Sequence, residues 1–213
     1  MTSTLPVRLH LIRHGEVEER YQQFFGGSRI EMALSPLGHA QGAALGEWLA
    51  TAPMDAFFTS PMLRVQQTIS PLIERRGIVP TVLEDLREVD FGDWTGLRWD
   101  EVQTRFGVHA HDWLGELERG GIPGGESAAS LLTRIRPCLA TILAARGQDI
   151  VVACHGGIVR ALLALLLDLP MARMAHFAVD YGSLTTVELH PGKGNRPEIK
   201  SLNLQPHALL GRR

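Results

Sequence analysis

Short apolar runs alternate with longer stretches of helical period along the chain, and that alternation confines it to a βαβ architecture. Residues 7–12 (Val-Arg-Leu-His-Leu-Ile) read as a first strand. Ser35-Pro36 then supplies an N-cap and an N1 proline, opening a helix to about Ala50. Asp55 to Thr59 reads as a second strand, and Ser60-Pro61 repeats the same device before a helix to about Arg75. Pro80 to Leu86 is a third extended segment. Ser127 to Arg146 is an amphipathic helix with Leu131, Leu132, Ile135, Leu139, Ile142 and Leu143 on one side. Asp149 to Ala153 is a buried strand, and the helix after it, from Gly157 to about Leu169, is ended by Pro170. Leu184 to Leu189 alternates as a strand and is followed, across a Pro/Gly turn, by Glu198 to Leu204. Between Trp94 and Gly125 the period weakens, which predicts a small, partly helical insertion within one α/β domain over residues 1–213.

Composition narrows the function. The net charge of −2 over 213 residues offers no electrostatic footprint for nucleic acid or an anionic membrane. Two cysteines cannot build a disulfide framework and fit a reducing compartment, so a cytoplasmic protein is expected. The N-terminus lacks the pattern of a signal peptide, and the most apolar stretch, Ala161 to Leu167, is too short to span a bilayer. That stretch predicts either a buried helix or an apolar face for a homodimer.

Two strand ends carry chemistry. The first runs into Arg13-His14-Gly15 and the later one into Cys154-His155-Gly156-Gly157. Open α/β sheets bind ligands at the carboxyl ends of their strands. Phosphoryl transfer needs a nucleophile, donors for the equatorial oxygens and an acid for the leaving oxygen. His14 can attack as a neutral imidazole if its other ring nitrogen is held. Arg13 offers a planar donor fork suited to phosphate, and Arg64 lies near the start of the Ser60-Pro61 helix, where anions are favoured. His155 adds a second imidazole, and Glu88 is a loop carboxylate. Singly, each is as well read as a surface or capping residue. His109 and His111 lack a ligand pattern at metal spacing, so no metal or cofactor is expected.

Together the pieces resemble the histidine phosphatase superfamily, the phosphoglycerate mutase-like enzymes. The segments that carry the resemblance are Leu11-Ile-Arg-His-Gly-Glu16, Leu34-Ser-Pro-Leu-Gly38 with Gln41, and Thr59-Ser-Pro-Met-Leu-Arg64 with Gln67-Thr68. Leu86-Arg-Glu-Val-Asp-Phe-Gly-Asp-Trp-Thr-Gly96, Pro123-Gly-Gly-Glu-Ser127 and Val151-Val-Ala-Cys-His-Gly-Gly157 continue it in the family's order. The resemblance implies a three-layer α/β/α fold around a mixed, mainly parallel sheet, and metal-independent hydrolysis of a small phosphorylated substrate. It makes His14 the phosphorylated nucleophile and Arg13, Arg64 and His155 the phosphate pocket. Glu88 becomes the acid for the leaving group and then the base for water. Two positions depart from the pattern: Val17 replaces a hydroxyl residue, and Arg20 stands where asparagine is common. Arg20 either adds a cationic donor to the pocket or points to solvent.

Three other readings stand beside hydrolysis. Mutases share the pocket but tend to carry an added basic segment, whereas the 94–125 insertion holds only Arg98, Arg105 and Arg119 as cations. Cys154-His-Gly-Gly-Ile-Val-Arg160 fits C-x-x-G-x-x-R between a strand and a helix, the arrangement that cysteine-dependent phosphatases use. A binding protein on the same fold would have no need of both His14 and Glu88. Phe24, Phe25, Trp94, Trp99 and Trp113 read either as walls of the substrate pocket or as packing of the insertion. The substrate is open among a sugar phosphate, a phosphoglycerate, a nucleotide-derived phosphate of the α-ribazole type and a phosphoprotein.

Overall fold

The structure, a computed structural model, describes residues 5–191, 194 and 196–210. Six strands form one mixed sheet in the order β3-β2-β4-β1-β5-β6. These are β1 (Val7–Arg13), β2 (Ala56–Thr59), β3 (Thr81–Val82), β4 (Asp149–Cys154), β5 (Leu184–His190) and β6 (Arg196–Leu204). The four strands from β3 to β1 pair in parallel, while β1–β5 and β5–β6 are antiparallel. Central β4 is buried along its whole length, and its period-2 alternation divides the core. Ile150, Val152 and Cys154 join Leu9 and Leu11 on one face. Val151 and Ala153 join Ile12 and Phe57 on the other.

Helices cover both faces, giving three layers. α1 (Pro36–Trp48) and α2 (Leu63–Arg76) close the second face with Leu45, Val65, Ile69 and Leu72. α5 (Ala128–Leu143) and α6 (Gly156–Leu167) close the first. The segment expected as an insertion forms α3 (Trp99–Phe106) and α4 (Trp113–Arg119), whose Val102, Leu114 and Leu117 join the same cluster as the sheet. A short α7 (Pro206–Leu210) packs near α1. The Ala161–Leu167 run is helix core: Ala161, Leu162, Leu163 and Ala164 are all at most 2% exposed. Leu165, Leu166 and Leu167 are only partly buried and pack against the same cluster, and Leu169 beyond them is exposed. Among the described residues no helix is long and apolar enough to cross a membrane.

Two boundaries differ from the sequence reading. The helix expected to start at Ser60-Pro61 begins instead at Leu63, capped by Met62. Ser60 extends the strand end, its backbone N–H bonded to the Ala153 carbonyl, and its hydroxyl is occupied by His155. The extended segment expected over Pro80 to Leu86 is a strand only at Thr81–Val82; Glu84–Leu86 turns as a 3₁₀ helix. β3 lies at the sheet edge with both side chains exposed, so no buried face holds a longer strand in register.

Candidate active site

The in-register pairing of Arg13 with Cys154 makes the following residues, His14 and His155, leave the sheet side by side. The His14 N–H donates to the Cys154 carbonyl at 3.0 Å, and the two rings meet edge-on with centroids 5.2 Å apart. The turn after His14 is locked by small residues: a Cβ on Gly15 would strike the backbone of Gly38 in the first turn of α1. Gly15 N donates to Thr68 Oγ1 (2.9 Å), and that hydroxyl donates to the Arg64 carbonyl (2.6 Å). One threonine thus ties the nucleophile's turn to the helix that carries Arg64.

The hydrogen bonds settle both tautomers. His14 Nδ1 lies 2.8 Å from the Gly15 carbonyl, which can only accept, so Nδ1 carries the proton and Nε2 the lone pair. Burial, then repulsion from Arg64 and Arg13, holds this imidazole well below the usual histidine value. His155 Nδ1 accepts from Arg64 Nε (3.1 Å), leaving Nε2–H to donate to Ser60 Oγ (2.8 Å). Burial and the neighbouring Arg64 keep this ring neutral as well. The resemblance makes His155 part of the phosphate pocket, and the structure puts its ring beside both His14 and Arg64. Both its nitrogens are engaged within the protein, and the ring is fully buried.

Arg64 is 1% exposed, yet it lines the cleft beside His14. Its Nη2 donates to the Gly27 carbonyl (2.9 Å). Burial pulls its guanidinium down to about 10, so the group stays charged at neutral pH. Arg13 donates Nη1 to the Val179 carbonyl (2.6 Å) and lies 3.9 Å over the Tyr181 ring, a cation–π contact. Its Nε is buried and has no hydrogen-bond partner among the described residues. Glu88 sits across the cleft: Oε1 accepts from Val89 N (3.0 Å) and Oε2 from Gly157 N (3.3 Å), at the start of α6. A Cβ on Gly157 would overlap Glu88 Oε1, so glycine here leaves room for the carboxylate.

The Glu88 loop is clamped from behind. Arg134 of α5 donates to the Arg87 carbonyl (3.0 Å) and pairs with Glu126 at 2.7 Å. Glu126 in turn accepts from Asp90 N (2.9 Å). This explains a carboxylate in Pro123-Gly-Gly-Glu-Ser127 that lies outside the pocket.

Of the predicted site residues, Arg13, His14, Arg64 and Glu88 line one cleft of about 680 Å³. Arg20 does not. It is largely exposed, paired with Glu18 at 2.7 Å and stacked on Tyr21, so the solvent-facing alternative holds. Val17 is buried in a bridge to Leu34, which favours an apolar side chain there. Sequence reasoning missed Tyr181 and Asp180, which line the cleft outside any motif segment; the loop after His14, expected at the pocket rim, adds Gln22 and Gln23. Arg160, considered only with Cys154, lines it too; burial lowers its guanidinium to about 10. The cysteine reading fails on geometry: Cys154 is fully buried, lies outside the cleft lining, and has its thiol pushed far up by burial. Among the aromatic residues Trp94 is buried core, whereas Phe24, Phe25, Trp99 and Trp113 line the cleft.

The arrangement is one that can pass a phosphoryl group through a neutral imidazole flanked by arginines and a carboxylate. Comparison with known proteins agrees. A model of the histidine phosphatase superfamily (branch 1) matches residues 9–205. The 2,3-bisphosphoglycerate-dependent phosphoglycerate mutase of Methylobacterium radiotolerans is 35% identical over 183 residues, spanning 82% of this chain and 85% of the mutase. Putative phosphoserine phosphatase 2 of Hydrogenobacter thermophilus is 26% identical over 201 residues, spanning 94% of this chain and 97% of that protein. A solved structure of mycobacterial glucosyl-3-phosphoglycerate phosphatase superposes with a TM-score of 0.82 at 28% identity, covering 93% of this chain and 99% of the other.

Proposed function

The chain belongs to the histidine phosphatase superfamily, and from that premise we propose that it is a phosphomonoester hydrolase in which His14 is the nucleophile. The carrying observation is the His14 tautomer. With Nδ1–H held by the Gly15 carbonyl, Nε2 keeps a lone pair inside a cleft lined by Arg13, Arg64 and Glu88. In the first step Nε2 attacks phosphorus in line, forming the N–P bond as the P–O bond to the leaving alcohol breaks. Glu88 gives its proton to the departing oxygen. Arg13 and Arg64 neutralise the equatorial oxygens, with Arg64 held in place by His155. In the second step Glu88, now a carboxylate, takes a proton from water, whose oxygen attacks phosphorus. The N–P bond breaks, its electron pair returns to Nε2, and phosphate leaves.

A mutase reading is favoured by the 35% identity to a phosphoglycerate mutase. Retaining a second phosphorylated substrate calls for basic groups that close over it. The cations of the 94–125 segment are engaged elsewhere: Arg105 pairs with Glu101 (3.4 Å) and Arg119 with Asp112 and Glu116. Arg98 faces Asp100. None of the three lines the cleft, which supports hydrolysis. A cytoplasmic setting accords with two free, buried thiols, Cys138 and Cys154.

The test is turnover of an aryl phosphate with EDTA present. Wild type should be active and should yield a covalent phosphohistidine on rapid acid quench, located at His14 by mass spectrometry. His14→Ala should lose roughly a thousandfold or more. Turnover that persists in His14→Ala would remove the histidine from the nucleophile's role. Interconversion of 3- and 2-phosphoglycerate without net phosphate release would favour the mutase.

A further inference from the structure

We infer that Tyr181 is a positioning residue for phosphoryl transfer, its ring holding the Arg13 guanidinium on the cleft wall beside His14. The inference rests on the reading of His14 as nucleophile and adds to it a residue that no motif segment contains.

The two arginines that flank His14 are fixed in different ways. Arg64 is anchored through all three of its nitrogens: Nε to His155 Nδ1 (3.1 Å), Nη1 to the Ile30 carbonyl (3.3 Å) and Nη2 to the Gly27 carbonyl (2.9 Å). The Arg13 side chain makes one hydrogen bond among the described residues, from Nη1 to the Val179 carbonyl (2.6 Å), and its Nε makes none. A guanidinium tethered at one nitrogen is free to turn about that bond. Arg13 is confined by packing instead. The Tyr181 ring centroid lies 3.9 Å from its Cζ, and at Gly156 a Cβ would lie 3.1 Å from its Nε and 3.3 Å from its Cζ. The ring's quadrupole attracts the cation while leaving its N–H groups available to oxygen acceptors. Loss of the ring therefore releases Arg13 and leaves Arg64 where it is.

The ring is itself fixed by the turn that presents it, residues 180–183. Gly182 N donates to the His14 carbonyl (2.9 Å), and Arg13 N donates to the Ser183 carbonyl (3.1 Å). The turn is thus tied to the same two residues that the ring touches. From the other side, Asp180 N donates to Asn203 Oδ1 (2.7 Å), and Asp180 Oδ2 accepts from Asn203 Nδ2 (2.8 Å) and Gln205 Nε2 (2.9 Å). Gly182 takes a φ of +65°, and a Cβ there would lie 2.7 Å from the Gln41 side chain. Gln41 Oε1 in turn accepts from Glu16 N (2.8 Å), two residues beyond the nucleophile. The Tyr181 and His14 rings meet with centroids 5.4 Å apart, so one side chain contacts the nucleophile and its arginine together. The Tyr181 hydroxyl has no hydrogen-bond partner among the described residues, so its hold on Arg13 runs through the ring.

The experiment follows an aryl phosphate by two readouts: the single-turnover rate of His14 phosphorylation on rapid acid quench, and competitive inhibition by orthovanadate. Tyr181→Leu should slow the first and weaken the second by about tenfold each. Tyr181→Phe keeps the ring and should hold both within about threefold of wild type. Because the ring acts through Arg13, adding Tyr181→Leu to Arg13→Ala should cost less than about twofold further in kcat/KM. A residue that only stabilised the fold would lower the urea midpoint and leave the vanadate affinity of the folded protein unchanged. Tyr181 is only partly buried, and Tyr181→Gln reads the loss of the ring equally well if the leucine variant does not fold. The inference is overturned if removing the ring changes neither readout, if Phe loses as much as Leu, or if the loss is as large without Arg13. Turnover that persists in His14→Ala would instead remove the nucleophile reading, and the vanadate comparison would still decide the place of Tyr181.

Discussion

His14 and His155 are both buried, and each is held neutral by desolvation and nearby arginines. The same feature that keeps a lone pair on His14 Nε2 makes the fold sensitive to acid. In the unfolded chain each ring takes a proton below about pH 6.5, and folding must expel it. Because the unfolded state binds more protons there, stability is fully present above that value and is lost as pH falls. The loss amounts to up to about 1.4 kcal/mol per pH unit for each ring. Urea unfolding at pH 7.5 and 5.5 should show a lower midpoint at the acid value, and His14→Asn should shrink the difference. A difference unchanged by that substitution would mean His14 is protonated in the folded protein. At this scale the sequence displayed the residues that sit in patterned segments: Arg13, His14, Arg64 and Glu88 all line the cleft. It did not display the partners of His155, Arg64 and Ser60, because a motif gives the residue type and not which group occupies each ring nitrogen. Tyr181 was invisible for a different reason. It reaches Arg13 through the turn before β5, a contact between positions 168 residues apart that no local spacing encodes.

Elements place the chemistry through their ends. β1 and β4 deliver the histidines, α2 delivers Arg64 in its first turn, and α6 begins where Glu88 needs a donor. The Gly157 N–H and the positive N-terminal end of α6 hold the Glu88 carboxylate against the cleft. An alanine at position 157 would push Glu88 away while leaving a helix-compatible residue in place. Gly157→Ala and Glu88→Gln should therefore share a signature: a large loss with an alkyl phosphate and a much smaller one with nitrophenyl phosphate. Proton donation matters less when the leaving group is a weak base, and the two losses should differ by about tenfold or more. Equal losses on both substrates would take Glu88 out of the acid's role. The buried strands and amphipathic helices were legible because burial imposes a period on them. β4, buried throughout, and α5, with Leu131, Ile135 and Ile142 inward, are the clearest cases. The start of α2 was not legible, because Ser60 spends its hydroxyl on His155 across the sheet instead of capping its own helix.

For the molecule as a whole, the cleft exists because the 94–125 segment stands over the carboxyl edge of the sheet and supplies Trp99 and Trp113 to its wall. Weak periodicity there predicts a small, partly helical insertion. Its inward residues enter the sheet's own core cluster, with Trp94, Val102 and Leu117 fully buried in the cluster that holds Leu86, Ile135 and Ile158. Short helices bounded by glycines hide this in the sequence, since each contributes too few core residues to show a period. A shared core predicts shared stability. Leu117→Ala, a truncation in α4 well away from His14, should destabilise the whole protein by about 2–5 kcal/mol. Far-ultraviolet circular dichroism, reporting the sheet and its main helices, and tryptophan fluorescence should then lose signal at the same, lowered denaturant midpoint. If fluorescence moved to lower denaturant while the dichroism midpoint stayed at the wild-type value, the segment would melt independently. The cleft wall would then be a separable lid and no extension of the core.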